Sequence, residues 1–554
     1  GWDILSTNAI KNADTHVAPS WRVRASGASE QVSVNFGQKP FKFPPPAGFQ
    51  PLNAANVRPE TVIARPDQFV KTSLYTGSGP STPVEVNLGF QPDLVWSKSR
   101  TQAYGNYLHD SVRGSNNFLN TNSGGEETVN AANDKLTFTS TGYTVNANSG
   151  ALNESGQGAD NMVSWSWKAG GNKNTFNVDD VGYASAADVN MSVGALNSSA
   201  INQGQLWSGL FTLSAGTFDQ AVSNAFNGAI SSSTRARTAD NQILITMTLS
   251  TPVTVSSQVK VFAEAGYTSN CTITVGGTTH TSLAAAVHTF NVSGSLTQMT
   301  LVTTSGSGRT YFEGMEIDGK LLVDSNVSIN VPSIAATGAS VGTKQGFSII
   351  SWTGNETAGA TIPHGLGKTP GFAIFKSRET VLDWGTYHQS LGPTERVLLN
   401  SGVPAAADSN AFNNTEPTSS IITLGASDAY NDDKKMIAYV WHDVPGLQKF
   451  GKFSANSSTD GNFIELGFRP TLVIAKQITG SGGNWFILDS KRNTFNPLNN
   501  ILDANLDDDE RQAIIYDFLS TGFKLRISLS GDFIYAAWAE APTFNLYGAQ
   551  SNAR

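Results

Sequence analysis

Three stretches of this chain carry the same ordered set of anchors, and whatever the chain folds into must accommodate all three. Pro92, Pro370 and Pro470 each stand six residues before a lysine, Lys98, Lys376 and Lys476. Ser111, Ser390 and Ser490 follow those prolines by 19, 20 and 20 residues, and Trp167, Trp441 and Trp538 follow them by 75, 71 and 68. Anchors kept in order with so little drift mark an internal repeat. The period, roughly 100 residues, suits a whole small domain. The copies fall at 70–169, 346–446 and 447–545. In this register His109 and His388 correspond, and Leu488 takes their place in the third copy.

Each copy writes its strands alike. After the proline comes a nearly continuous apolar run, Leu94-Val95-Trp96, Ala373-Ile374-Phe375 or Leu472-Val473-Ile474-Ala475. Such a run predicts a strand buried on both faces, and proline is tolerated at its start because no ladder donor is lost there. The Ser-Thr-Gly segments at 140–142 and 520–522 and Leu-Gly-Ala at 424–426 read as hairpin turns. The closing strands alternate about their tryptophans, which points the indoles into a core. The repeated lysines end buried strands, with stems on apolar surface and heads expected in water. Charged residues make up only 14%, against the usual quarter, and glycine is frequent. The expected fold class is all-β, a multidomain array of β-sandwich-like units with three repeats and an inserted jelly-roll-like domain.

That insertion occupies 191–326, between polar connectors at 170–190 and 327–345. Strands are expected at 243–249, 259–263, 271–275, 288–292, 299–302, 312–317 and 321–323, a spacing typical of a sandwich. Asp318-Gly319 between the last two is a type I′ turn signal. Trp207, Tyr267 and Tyr311 are the aromatics that this alternation explains least, each beside a Gly-, Ser- or Thr-containing loop. They are the candidate ligand-binding residues, as faces for the apolar side of a sugar ring.

The chemistry of catalysis is hard to find. None of the seven histidines pairs with another at metal-ligand spacing on one element. Asp507–Glu510 lacks the alternating ligands and central glycine of a calcium loop and reads as a solvated turn. There is no phosphate-binding loop at Gly365–Gly367 and no nucleophile elbow. We therefore expect no enzyme activity, no catalytic or metal-binding residues and no cofactor. A net charge of −8 argues against a nucleic-acid partner, and no run of about 18 apolar residues exists to insert in a membrane. The single cysteine, Cys271, excludes an intrachain disulfide framework. The chain begins at Gly1 without a signal-peptide pattern, so a processed or incomplete N-terminus is expected.

Several phrases carry a resemblance. GFQPDLVWSKSR (89–100), the HDSVRG and DSKRN segments, LSTGFKL (519–525), the connector FNVDDVGYASAADVN and the Phe312–Asp324 stretch look like a repeated β domain of tail fibres and related virion proteins of marine tailed phages. Val34–Phe41 with its Pro-rich sequel resembles the C-terminal end of SPRY domains, which would make 1–52 the last part of such a sandwich, 53–69 a linker and 546–554 a tail. The resemblance implies a virion appendage, assembled in the host cytoplasm, that attaches to a host surface glycan or outer-membrane receptor. It further implies a homotrimer that contacts other tail or baseplate proteins. Two rival readings are a carbohydrate-binding accessory region of a secreted enzyme and a purely structural tail component.

Overall fold

The computed structural model describes residues 63–542, except for 130–134, 155–160, 187–188, 190–195, 197–200, 203–204, 216, 229, 231–234, 265, 305–307 and 328–331. The SPRY-like segment 1–52, most of the linker and the 546–554 tail lie outside the described residues. The fold is all-β, built from several sheets with a few single-turn helices. No described helix is long and apolar enough to cross a membrane.

The three repeats share one strand order. In each large sheet an opening strand (Val70–Thr76, Phe347–Thr353, Gln448–Asn456) pairs with the closing strand (Asn161–Trp167, Lys435–Trp441, Ser530–Trp538). The closing strand pairs in turn with the proline-led strand (Leu94–Ser99, Phe372–Ser377, Leu472–Gln477), followed by a third and a fourth strand. The register is identical: Leu94, Phe372 and Leu472 sit opposite Trp167, Trp441 and Trp538. The proline-led strands are buried along nearly their whole length, as their apolar runs predict.

What covers their second face is the other repeats. Outward residues such as Val95, Phe375 and Val473 meet a small second sheet in their own copy, or its helical substitute. Inward residues, Leu94 and Trp96, Phe372 and Ile374, Leu472 and Ile474, join a single core shared by all three copies. Trp167, Trp441 and Trp538 meet one another edge to face at its centre, with ring centroids 5.5 to 6.2 Å apart, an arrangement that suits the aromatic quadrupole. The repeats thus close on one another as a pseudo-threefold ring.

Equivalent contacts run around that ring. The Trp384 indole donates to the Asn120 carbonyl (3.0 Å), Trp485 to Leu398 (2.9 Å), and the Asn106 amide to Asp503 (3.4 Å). Each grips the next copy at the same place. Two interfaces add a buried ionic clasp. Arg378 binds Glu127, which meets Arg113 and through it Asp110. Arg100 binds Glu510, which meets Arg492 and through it Asp489. At the third interface Ile478, Ala405, Leu391 and His388 hold the corresponding positions, so the contact there is apolar.

Four expectations need correction. Paired residues place Asp110, His388 and Asp489 together, and likewise His109, Tyr387 and Leu488. His109 and His388 are therefore not equivalent, and Gln389, not Ser390, matches Ser111 and Ser490. The cause is one extra residue before the third strand of the last copy, and a one-residue slip exchanges the faces of a strand. The heads of Lys98, Lys376 and Lys476 are not in water: all three residues are fully buried. Lys98 donates to the carbonyls of Tyr104 and Asp507, Lys376 to Ser377 and Thr380, and Lys476 to Ser401 and Gly483. Burial pushes each ammonium down to about 8. Finally, the segments read as connectors hold strands. Phe176–Val178 and Val181–Tyr183 extend the second repeat's sheet through Gly338–Gly342, which runs parallel to Phe176–Val178. Leu424–Ala426, read as a hairpin turn, leads instead to the short helix Asp428–Asn431.

Candidate functional site

The inserted domain leaves the scaffold after Val181–Tyr183 and rejoins it at Gly338–Gly342, on either side of Phe176–Val178. It is a sandwich of two five-stranded sheets around its own apolar core. The alternation of Ser269–Val275 and Leu244–Val255 builds that core, with Ile245, Met247, Cys271 and Ile273 fully buried. Asp318 and Gly319 both have positive φ, 53° and 75°, and join paired Ile317 and Lys320 as a type I′ turn. Five strands escape the sequence reading: Ile201–Asn202, Phe211–Ala215, Phe218–Gln220, Ala236–Thr238 and Thr278–Ala285. The last is an exposed edge strand rich in threonine, with no apolar face to betray it.

Of the three candidate aromatics, the structure brings two together. Tyr267 is half-buried and stacks on Tyr311, centroids 5.2 Å apart. Trp207 stands apart: it is 2% exposed, belongs to the sandwich core and donates its indole N–H to the Asn202 carbonyl at 2.7 Å. It holds the core and offers no face to a ligand.

The tyrosine pair has charged neighbours that periodicity could not reveal. The Arg235 guanidinium lies 4.3 Å from the centre of the Tyr311 ring and binds Glu264 at 2.6 Å. Tyr311 and Arg235 are set beside each other by the pairing of Tyr311–Phe312 with Ala236–Thr238. Glu313, two residues on from Tyr311, is anchored by its backbone N–H to the Phe262 carbonyl and is 6% exposed. Burial and then the Glu264 carboxylate push its carboxyl up, against the pull of Arg235. Buried polar atoms are ordinarily hydrogen-bonded. Here Arg235 Nε, Glu264 Oε2 and Glu313 Oε1 are buried without a partner. Three unpartnered buried atoms lie beneath a stacked aromatic pair whose Tyr267 is flanked by exposed Gly266 and Thr268.

Other groups are accounted for. A groove of about 700 Å³ on the scaffold is lined by Phe69, Phe90, Lys168, Lys173, Asp180 and Lys344, but Lys168 binds the Asp180 carboxylate and Lys173 its carbonyl. The acidic oxygens of Glu356, Asp432 and Asp433 lie within 4.8 Å of one another, yet Ser377 donates to Asp432 and Lys434 pairs with Asp433. In the acidic run, Asp507–Asp509 are exposed as a solvated turn would be, while Glu510 belongs to a clasp.

Comparison with known proteins places the scaffold and not the insertion. No curated protein matches the chain. Among solved structures, one from Pseudomonas syringae pv. tomato str. DC3000, a protein with unknown function of the DUF861 family, is 12% identical. It aligns over 44% of this chain and 81% of its own with a TM-score of 0.08, too low to carry an argument about fold. The family described as Domain of unknown function (DUF7483) matches residues 65–204 and 323–542, a gap that takes in the sandwich except for its first strand, Ile201–Asn202. With well over half of its length matched, the chain belongs to that family.

Proposed function

We propose that this chain is part of a tail fibre or related virion appendage of a tailed phage, that it attaches to the host surface through glycans, and that the inserted sandwich is its binding module. One observation carries the proposal: the family match is interrupted between 204 and 323, and the insertion departs after Val181–Tyr183 and returns at Gly338–Gly342, the two strands that flank Phe176–Val178 in the scaffold sheet. A module held by its two stems can be exchanged without unmaking the shared core, which suits recognition of a surface that varies. Half-buried Tyr267, stacked on buried Tyr311, supports a ring-shaped ligand. The same reading assigns the chain no catalytic role and has it meet copies of itself as a homotrimer and other tail or baseplate proteins.

The test compares the full chain with one in which 205–322 is replaced by a short Gly-Ser linker. Both are labelled and added to a panel of marine bacterial isolates. Adhesion of the full chain to some isolates, lost in the shortened chain, is expected. Equal adhesion by both chains moves recognition to the scaffold, and adhesion by neither leaves a structural component. Light scattering on the intact assembly reads the oligomer, and a monomer removes the trimer from the proposal.

A further inference from the structure

We propose that the scaffold groove around Lys168, Lys173 and Lys344 takes an anionic saccharide, one that carries a carboxylate or a sulfate ester. This site does not depend on the insertion. The groove holds about 700 Å³, within the roughly 300–1,000 Å³ of small-ligand sites. It opens to solvent, since Gln68, Gly89, Ser140, Lys173 and Lys344 on its walls are all exposed.

One turn gathers the three lysines. Asp179 and Asp180 have φ of 48° and 67° and join paired Val178 and Val181 as a type I′ turn. Asp180 accepts from Lys168 through its carboxylate (2.7 Å) and from Lys173 through its carbonyl (2.6 Å). Asp179 accepts from the Thr343 N–H (2.8 Å) and hydroxyl (2.6 Å), which fixes the backbone next to Lys344. These contacts place the ammonium groups without cancelling them. Only Lys168 meets a carboxylate. Lys173 meets a neutral carbonyl, and Lys344 is exposed with no hydrogen bond or ion pair among the described residues. Three ammonium groups against two carboxylates leave the groove positive, in a chain whose net charge is −8.

The groups left over are mostly donors. Thr343 occupies both Asp179 oxygens, while the Lys344 ammonium, the Gln68 amide and the Ser140 hydroxyl face solvent. Donors match the oxygens of an anion, and a cleft weighted to one sign of charge concentrates the other. Half-buried Phe69 lines the same groove and covers the apolar side of a sugar ring. A bare inorganic anion would leave that ring unused. The groove and the insertion stand at opposite ends of one strand pair. Val178 pairs with Val341 beside the groove, whereas Phe176 pairs with Ala339 and Tyr183 where the insertion's stems begin. Either site can therefore be lost without the other.

The experiment measures binding of the full chain to immobilised alginate, dextran sulfate and neutral dextran by biolayer interferometry. Binding of alginate, of dextran sulfate or of both, with none of dextran, is expected, and the polymer preferred separates carboxylate from sulfate ester. Raising salt from about 0.05 M to about 0.5 M should weaken it. Lys344→Gln should weaken it on the order of tenfold, the loss of one charge-assisted hydrogen bond, and should melt with the parent. Lys452→Gln removes the same charge from an exposed lysine outside the groove and should bind as the parent does. Three outcomes overturn the proposal: binding of dextran as strong as that of the polyanions, equal losses in Lys344→Gln and Lys452→Gln, which mark diffuse charge attraction, or no binding of either polyanion.

Discussion

Replacing Arg113 by leucine tests whether the ionic clasps hold the ring together. Arg113 is fully buried and donates to Asp110 (2.5 Å), Glu127 (3.1 Å) and the Leu108 carbonyl (2.8 Å). Leucine is what the second repeat has at this position, Leu391, so the shape is known to fit the ring. In Arg113→Leu, Glu127 keeps Arg378. Asp110 keeps the Tyr439 hydroxyl at 2.7 Å and two backbone N–H groups, but no counter-ion. Breaking a buried pair from one side costs about 3–5 kcal/mol, and we expect that loss in urea denaturation, as a lower midpoint at unchanged slope. The four-site variant Asp110→His, Arg113→Leu, Glu127→Ala and Arg378→Ile transplants the apolar interface of the second and third repeats. Exchanging a whole buried ionic group for apolar residues is often nearly neutral, so this variant should return to within roughly 2 kcal/mol of the parent. The reasoning fails if Arg113→Leu costs under about 1 kcal/mol, the value of an exposed pair, or if the four-site variant is no more stable than the single one.

Three further outcomes follow from the same structure. Lys476 is fully buried with its ammonium at about 8 in the fold against 10.5 unfolded, so its burden on stability is full below pH 8 and lifts as pH rises to 10.5. The parent should gain about 3 kcal/mol over that window relative to Lys476→Met, and parallel denaturation curves at pH 7.5 and 10 check it. His109 is buried with both ring nitrogens unpartnered and is held neutral down to about 3, so stability present above 6.5 is lost as pH falls. His109→Leu, which copies Leu488, should be more acid-resistant by roughly 3 kcal/mol at pH 4, read from midpoints at pH 7 and 4. Deleting 205–322 should leave the scaffold folded, because the shared core draws no residue from the sandwich, and a cooperative melt with β-type circular dichroism would show it.

The repeat, the all-β class and the insertion were legible because they are written in local pattern: proline at strand starts, apolar runs, a Trp closing each copy. The shared core was not. Continuous burial of Leu94-Val95-Trp96 told that both faces are covered, but not that the inner cover is Phe372 and Leu472, hundreds of residues away. The same distance hid the clasps, since nothing in the neighbourhood of Arg378 names Glu127 as its partner. A register matched on Ser111, Ser390 and Ser490 sets His388 one place off, and on a strand one place is the other face. At the candidate site three aromatics, Trp207, Tyr267 and Tyr311, stood out by failing to alternate, and the two tyrosines did meet. Trp207 failed to alternate for another reason: it lies in a single-turn helix, Trp207–Leu210, where a period of two does not apply. Arg235, Glu264 and Glu313 carried no local signal because the cluster exists only once separate strands pair.

Fusing three copies in one chain changes what a threefold ring can do. In a ring of three identical chains every interface must be the same and every insertion must appear three times. Here the positions that face Asp110, His388 and Asp489 differ: the Tyr439 hydroxyl, the Tyr535 carbonyl and the Trp165 indole. Each interface has therefore been free to find its own polar solution, ionic in two cases and apolar in one. The same freedom permits one sandwich in the link between the first two copies and none in the link between the second and third, where Val444 turns directly into the next opening strand. A ring that tolerates different interfaces can accept an insertion at one of them without asking the others to accommodate it, and that asymmetry is the ground on which we propose the recognition role for the inserted sandwich.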